Sequence, residues 1–179
     1  MEFSSNHKGR EDEIVNLFSA TFSVSEGPDE GKVIGALVGN LFETTEDNDL
    51  FVFLAWQEDE LVGSIVFSRL TYAEDERSVF ILAPVAVATS WQRKGVGQAL
   101  LIHGLNVLRE LGVDVAITYG DPNYYAKVGF KQITEEVAQA PLVLQQPEGW
   151  LAQPLSSDLL TPLKGPSRCV EALQNQIYW

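Results

Sequence analysis

The residue types best suited to chemistry in this chain lie in Ser90-Trp91-Gln92-Arg93-Lys94-Gly95-Val96-Gly97-Gln98-Ala99-Leu100: two glycines one residue apart, two cations and an amide side chain ahead of them. The segment leaves an apolar run, Val79–Val87, and enters a helical pattern, so its backbone N–H groups stand at a helix start. Such groups, with the positive end of the helix dipole, bind phosphate, and small residues let a pyrophosphate approach the backbone closely. Gly95 and Gly97 provide that access, while Arg93 and Lys94 offset phosphate charge. A plain loop with surface cations is the competing reading. A Walker A loop needs G-x-x-x-x-G-K-[ST], and a dinucleotide fingerprint needs a third glycine where Leu100 stands, so both are excluded. What remains is Q-x-x-G-x-G.

The run before it contains Pro84, which has no N–H to give to a ladder. Val79–Val87 is apolar at both alternate sets of positions, the pattern of a central strand covered on both faces. A proline there calls for a bulge. Val85, Ala86 and Val87 then lose a strand partner and face a cleft, where an extended, amide-bearing ligand supplies the missing hydrogen bonds. Without a ligand, the proline merely lies near a strand end.

The elements that must hold these residues follow from spacing and punctuation. Helical periodicity covers Glu11–Phe22, breaks over Ser23–Glu30 and resumes from Val33 to Phe42, with Thr44–Asn48 closing the second helix. Leu50–Trp56 and Leu61–Leu70, joined by the charged turn Gln57–Glu60, form a hairpin. After Val79–Val87, a helix over Gly97–Leu111 ends at Gly112, and Val113–Thr118 is a buried strand, which makes a parallel crossover. Asp121 caps and Pro122 opens a short helix that Gly129 stops. Phe130–Ile133 and Pro141–Leu144 read as further strands. Gln145–Trp179, with Pro147, Pro154, Pro162 and Pro166, reads as irregular apart from one short helix over Cys169–Gln176.

At 179 residues and 45% hydrophobic content, the chain fits a single domain, with a core over about residues 9–145 and a less regular extension over 146–179. Its net charge of -13 repels phosphate backbones, so nucleic acid is not an expected partner. The same field favours a cationic acceptor, although acidity also serves solubility alone. The single cysteine, Cys169, excludes an intramolecular disulfide and a thiolate metal cluster, and fits a reducing compartment. Met1–Glu13 is polar with no apolar signal-like core, and no window approaches the roughly 18 apolar residues of a membrane span, so a cytoplasmic location is expected. His7 and His103 do not form a metal pair, and no metal is expected.

In the order and context of Gln92, Gly95 and Gly97 behind the Pro84 strand, the chain resembles the GCN5-related N-acetyltransferase (GNAT) superfamily, closest to a bacterial subgroup of predicted N-acetyltransferases. A second landmark, Gly120-Asp121-Pro122-Asn123-Tyr124-Tyr125-Ala126-Lys127-Val128-Gly129-Phe130, matches the family's aromatic-Tyr-x-x-x-Gly-Phe pattern. The resemblance spans about Glu11–Ile133. It implies an α/β (α+β) fold whose mixed, mostly antiparallel central sheet is splayed at the bulged strand, with helices on both faces. It implies acetyl-CoA as co-substrate and no metal. Arg93, Lys94, Gly95, Val96, Gly97 and Gln98 would hold the pyrophosphate through backbone amides, and Val85–Val87 would pair with the pantetheine arm. A backbone N–H near Val85 would face the thioester carbonyl, and Tyr125 would protonate the departing thiolate, a role that a phenol protonated at neutral pH can fill. Aromatic packing is the other reading of Tyr124 and Tyr125.

No general base is nominated. The Val79–Val87 strand has no acid, and Glu26, Glu74, Asp75 and Glu76, which lie near loops, read as solvated acids, so the base comes from elsewhere or from water. Direct transfer needs no nucleophile at Cys169. The expected activity is transfer of an acetyl group to a primary amine of an unidentified small-molecule or peptide acceptor; the alternative is a non-catalytic acyl-CoA-binding sensor or partner module. The aromatic tail Tyr178–Trp179 can dock on its own chain or on a second copy in a homodimer.

Overall fold

In a computed structural model, which describes residues 1–179, the first two helices are α1 (Glu11–Glu26) and α2 (Pro28–Thr44). The break expected over Ser23–Glu30 shrinks to Gly27, whose φ of 102° only glycine adopts easily. Pro28 sits at the start of α2, and Asp29 and Glu30 in its first turn suit the positive end of the dipole. Packing explains the correction. A Cβ at Gly31 would lie 2.6 Å from the Ser19 carbonyl oxygen, and one at Gly35 would lie 3.2 Å from Ser19 Cβ, so the two helices meet backbone to backbone. Ser19 and Ser23 are small enough to permit that approach, which keeps Ser23 helical.

The hairpin forms as expected, from β2 (Leu50–Gln57) and β3 (Glu60–Arg69). A strand the sequence did not announce, β1 (Glu2–Ser4), pairs antiparallel with β2 from Glu2↔Trp56 to Ser4↔Leu54. Phe3 is its only large apolar residue, and that ring stacks on His103, which meets Phe53 edge-on. His103 is thus an aromatic packing residue. Val52 and Leu54 are as deeply buried as Phe53 and Ala55, so both faces of β2 are covered.

Seven strands make one sheet in the order β1-β2-β3-β5-β6-β8-β7, where β5 is Val79–Val87, β6 is Val115–Tyr119, β7 is Lys131–Gln132 and β8 is Trp150–Pro154. β5 and β6 are parallel and joined through α3 (Val96–Glu110), while β1–β2, β6–β8 and β7–β8 are antiparallel. A small second sheet pairs β4 (Thr71–Tyr72) with β9 (Ser167–Arg168). The chain packs as two units, Met1–Phe67 with Pro84–Gly104, and Ser68–Ala83 with Leu105–Trp179. The boundary falls inside β5, immediately before Pro84.

The C-terminal quarter departs most from expectation. β8 occupies the place beside β6, from Val115↔Pro154 to Tyr119↔Trp150, and takes β7 on its other edge. The strand expected at Pro141–Leu144 does not form; that segment runs through bends and irregular backbone, and Trp150–Pro154 supplies the strand of this region instead. The helix expected over Cys169–Gln176 is replaced by two 3-10 turns, Glu171–Leu173 and Gln176–Tyr178. Trp150 donates from Nε1 to Ala138 O, and Trp179 from Nε1 to Leu173 O, both at 2.8 Å. Trp179 also lies against Tyr119 and Trp150, so the aromatic tail docks on its own chain.

Candidate active site

β5 changes character along its length. Val79–Leu82 pair with Val115–Thr118 of β6, and that register ends at Leu82↔Thr118, two residues before Pro84. From there Ala83, Val85 and Val87 are partly exposed while Pro84 and Ala86 stay buried, so this half is open on one face. On the β3 side the strand stays tied to its end, where Ala88 N–H donates to Val62 O at 2.8 Å.

A 3-10 turn, Thr89–Trp91, follows. Gln92 folds back to donate from Nε2 to Val87 O at 3.0 Å, which fastens the turn to the last residue of β5. Arg93 at φ 61° and Gly95 at φ 80° are both left-handed. For a residue with a Cβ such as Arg93 that geometry costs about 1 kcal/mol, whereas for Gly95 it is nearly free. Gly95 O accepts the first helical bond, from Ala99 N–H at 3.0 Å, so the amides of Val96 and Gly97 precede the start of the α3 ladder. The Lys94 ammonium sits 4.7 Å from the centre of the Trp91 ring, parked on the indole face. The sequence pointed to Gln92 by motif, but its bond to Val87 and the indole seat of Lys94 are visible only in three dimensions.

Tyr125 lies in the other unit, on α4 (Pro122–Ala126). Asp121 caps that helix as expected, its Oδ1 accepting Asn123 N–H at 2.9 Å. Tyr125 N–H donates to Asp121 O at 3.1 Å, and Tyr125 O accepts Val128 and Phe130 N–H at 3.1 and 3.2 Å. Gly129, at φ 99°, makes the return possible. With its backbone fixed at both ends, the ring stands edge-on to Tyr124 and Phe130 and rests on Gly120, where a Cβ would come within 2.7 Å of Tyr125 Cε2. Burial pushes the phenol up to about 12, and the Tyr124 and Asp121 charges add to the shift, while the Thr118 hydroxyl works against it. The group therefore keeps its proton at neutral pH and is suited to be an acid rather than a base.

Residues 11–130 match the acetyltransferase (GNAT) family. The chain belongs to that family. The uncharacterized N-acetyltransferase YjhQ of Escherichia coli is 31% identical over 140 residues, covering 75% of this chain and 77% of YjhQ. Among solved structures, the CoA complex of Escherichia coli YhbS superposes with a TM-score of 0.83 at 21% identity, over 98% of this chain and 92% of that one. A GNAT acetyltransferase of Brucella melitensis in complex with acetyl-CoA gives 0.74 at 21% identity, over 97% of each chain. At such identities the structures establish the shared fold, and this chain has the mixed α/β, largely antiparallel GNAT fold.

Other groups of this GNAT chain fall outside the chemistry. Asp75 accepts Arg77 Nε at 3.0 Å, Arg77 Nη2 at 2.8 Å and Lys164 N–H at 3.1 Å, and these partners hold its carboxyl well below the usual carboxylate range. Arg77 reaches on to the carbonyls of Thr161 and Pro162, so Asp75 is a loop clamp and not a free base. Cys169 is buried and burial raises its thiol, which makes it a weak nucleophile. No group of three or more His, Cys, Asp or Glu side chains is placed to hold a metal. No helix is long and apolar enough to cross a membrane.

Proposed function

We propose that the whole chain acts as one catalytic domain that transfers the acetyl group of acetyl-CoA directly to a primary amine. The observation that carries this reading is the left-handed Arg93–Gly95 turn, fastened by Gln92 to the half-open end of β5 and opening α3. The CoA and acetyl-CoA complexes of YhbS and the Brucella melitensis enzyme support the choice of ligand. In this scheme the pyrophosphate lies on the backbone of Arg93–Gln98, and the pantetheine amides pair with Val85–Val87. A neutral amine attacks the thioester carbonyl, and a backbone N–H near Val85 holds the oxyanion. The C–S bond then breaks with its electron pair passing to sulfur, and Tyr125 supplies the proton. Water carries away the proton of the amine, since β5 bears no carboxylate.

The net charge of -13 draws in cationic amines, and we place the reaction in the cytoplasm, where a lone thiol such as Cys169 stays reduced. The scheme needs residues of one chain only, so a homodimer would leave it intact. Calorimetry with acetyl-CoA and with CoA tests the site, followed by thiol release from acetyl-CoA with spermidine, lysine methyl ester, an aminoglycoside and an alanyl peptide. Binding with turnover of any of these amines is the expected result. Folded protein that binds neither thioester nor thiol would refute the reading, whereas binding without thiol release across the panel would favour a non-catalytic acyl-CoA sensor.

A further inference from the structure

Thr118 is fully buried on β6 opposite Leu82, the last register pair that β5 and β6 share, and its Oγ1 donates to Leu82 O at 2.9 Å. Gly120 follows β6 directly, and its N–H donates to Gly149 O at 3.0 Å, which carries the pairing with the β8 side one step past Tyr119↔Trp150, so the alternation continues and Gly120 faces the same side as Thr118. The Tyr125 ring fills the space where a Gly120 side chain would be. The phenol consequently lies over the face from which Thr118 projects, and the Thr118 hydroxyl is among the groups that stabilise its ionised form. A threonine hydroxyl has one hydrogen and can accept as well as donate. While that hydrogen is engaged by Leu82 O, the Thr118 oxygen can only accept from the phenol; once the phenol has lost its proton, the same hydrogen can rotate onto the phenolate.

We infer that Thr118 is a positioning residue that works through Tyr125, aiming the phenolic O–H in the resting enzyme and donating to the phenolate after the proton has left. The inference rests on the reading of Tyr125 as the acid. In the step itself the C–S bond breaks, sulfur takes the electron pair, and the Tyr125 proton moves to sulfur. The Thr118 O–H leaves Leu82 O for the phenolate, and solvent returns a proton to Tyr125 after the amine has released its own. The other titratable groups facing the phenol, Tyr124 and Asp121, both disfavour its ionisation, which leaves Thr118 as the group that offsets them.

The test uses the full chain labelled with 3-fluorotyrosine, whose fluorine lowers each phenol's midpoint into an accessible pH range, with the Tyr125 resonance assigned by its loss in Tyr125→Phe. Thr118→Val should raise the Tyr125 midpoint by about one pH unit, as expected for losing a hydrogen bond to the charged form, and Thr118→Ser should restore it. Equal midpoints in wild type and Thr118→Val would overturn the inference. If Thr118→Val fails to fold, Thr118→Cys takes its place, because a thiol is the weaker donor and its midpoint should lie above that of Thr118→Ser; equality there overturns the inference as well. In turnover, Thr118→Val should lower kcat about tenfold with KM for acetyl-CoA unchanged, and should add nothing in a Tyr125→Phe background. A loss of the same size in that background would show Thr118 acting independently of Tyr125 and overturn its positioning role. Unchanged turnover in Tyr125→Phe alone would overturn the acid reading, and with it the catalytic role of Thr118, while a shifted midpoint would still report the contact between them.

Discussion

Gly120→Ala separates the placing of the acid from its chemistry. The added methyl would lie 2.7 Å from Tyr125 Cε2, against 3.4 Å for the onset of ordinary van der Waals contact. The ring edge must therefore retreat by about 0.7 Å, the difference between those two distances. It can do so because the clashing atom is the outer edge of a side chain, and Gly120 is not among the glycines with positive φ, so alanine is compatible with its backbone. The cost to folding should stay near the low end of overpacking, about 1 kcal/mol. Catalysis is less forgiving, because displacing a reacting group by 1 Å can cost ~100-fold; a shift of this size should lower kcat by roughly ten- to fiftyfold. Acetyl-CoA affinity should not change, since no proposed phosphate or pantetheine contact involves Gly120. The assay is thiol release under saturating acetyl-CoA with the amine that the panel identifies, alongside calorimetry and a thermal melt. Wild-type kcat in a folded Gly120→Ala protein would refute the claim that this ring must rest where it does. A drop of equal size in a Tyr125→Phe background would also refute it, because the loss would then have another source.

Gly95→Val should weaken acetyl-CoA binding by about tenfold or more, since a β-branched residue at φ 80° must unwind the turn; unchanged affinity by calorimetry would remove the phosphate site. Asp75→Asn should destabilise the fold by about 2 kcal/mol in chemical denaturation by weakening the charge-assisted hydrogen bonds of a part-buried pair. Because the folded pKa of Asp75 is depressed, its contribution is full above the unfolded value of about 3.9 and fades as pH falls through the folded one. The variant should accordingly lose less stability on acidification than wild type, and parallel acid profiles would contradict the clamp. Trp179→Ala should cost about 3 kcal/mol through lost packing on Tyr119 and Trp150 and lower the melting temperature; an unchanged melt would mean that the docked tail contributes nothing.

Much of this arrangement is legible in the sequence, and the parts that are not share a cause. β5 was bounded correctly at Val79–Val87 because both of its alternate sets are apolar, and the start of α4 because Asp121 and Pro122 signal locally. β8 was missed because Trp150-Leu151-Ala152-Gln153-Pro154 has a polar residue inside it and a proline at its end. What makes it a strand is the vacant edge of β6, distant in sequence. β1 was missed for the same reason, its pairing with β2 being supplied by partners some fifty residues away. At the candidate site the motif marked Gln92, Gly95, Gly97 and Tyr125. It carried no sign that Gln92 would bind Val87 O, that Lys94 would settle on Trp91 or that Gly120 would seat the phenol, because each depends on a neighbour's orientation rather than on spacing.

Gly104 lies about two turns along α3 from the glycine-bearing end. A Cβ there would come within 2.9 Å of Ile65 Cδ1 and of Phe53 Cδ2, so the helix axis is pressed onto the strands with only a hydrogen atom between. A methyl at Gly104 must displace either those two buried side chains or the helix itself, and to the extent that the packed core resists, the helix tilts and its far tip swings. On the proposed phosphate site, such a methyl group would detune affinity for the nucleotide half of the donor while every residue of the glycine turn kept its identity.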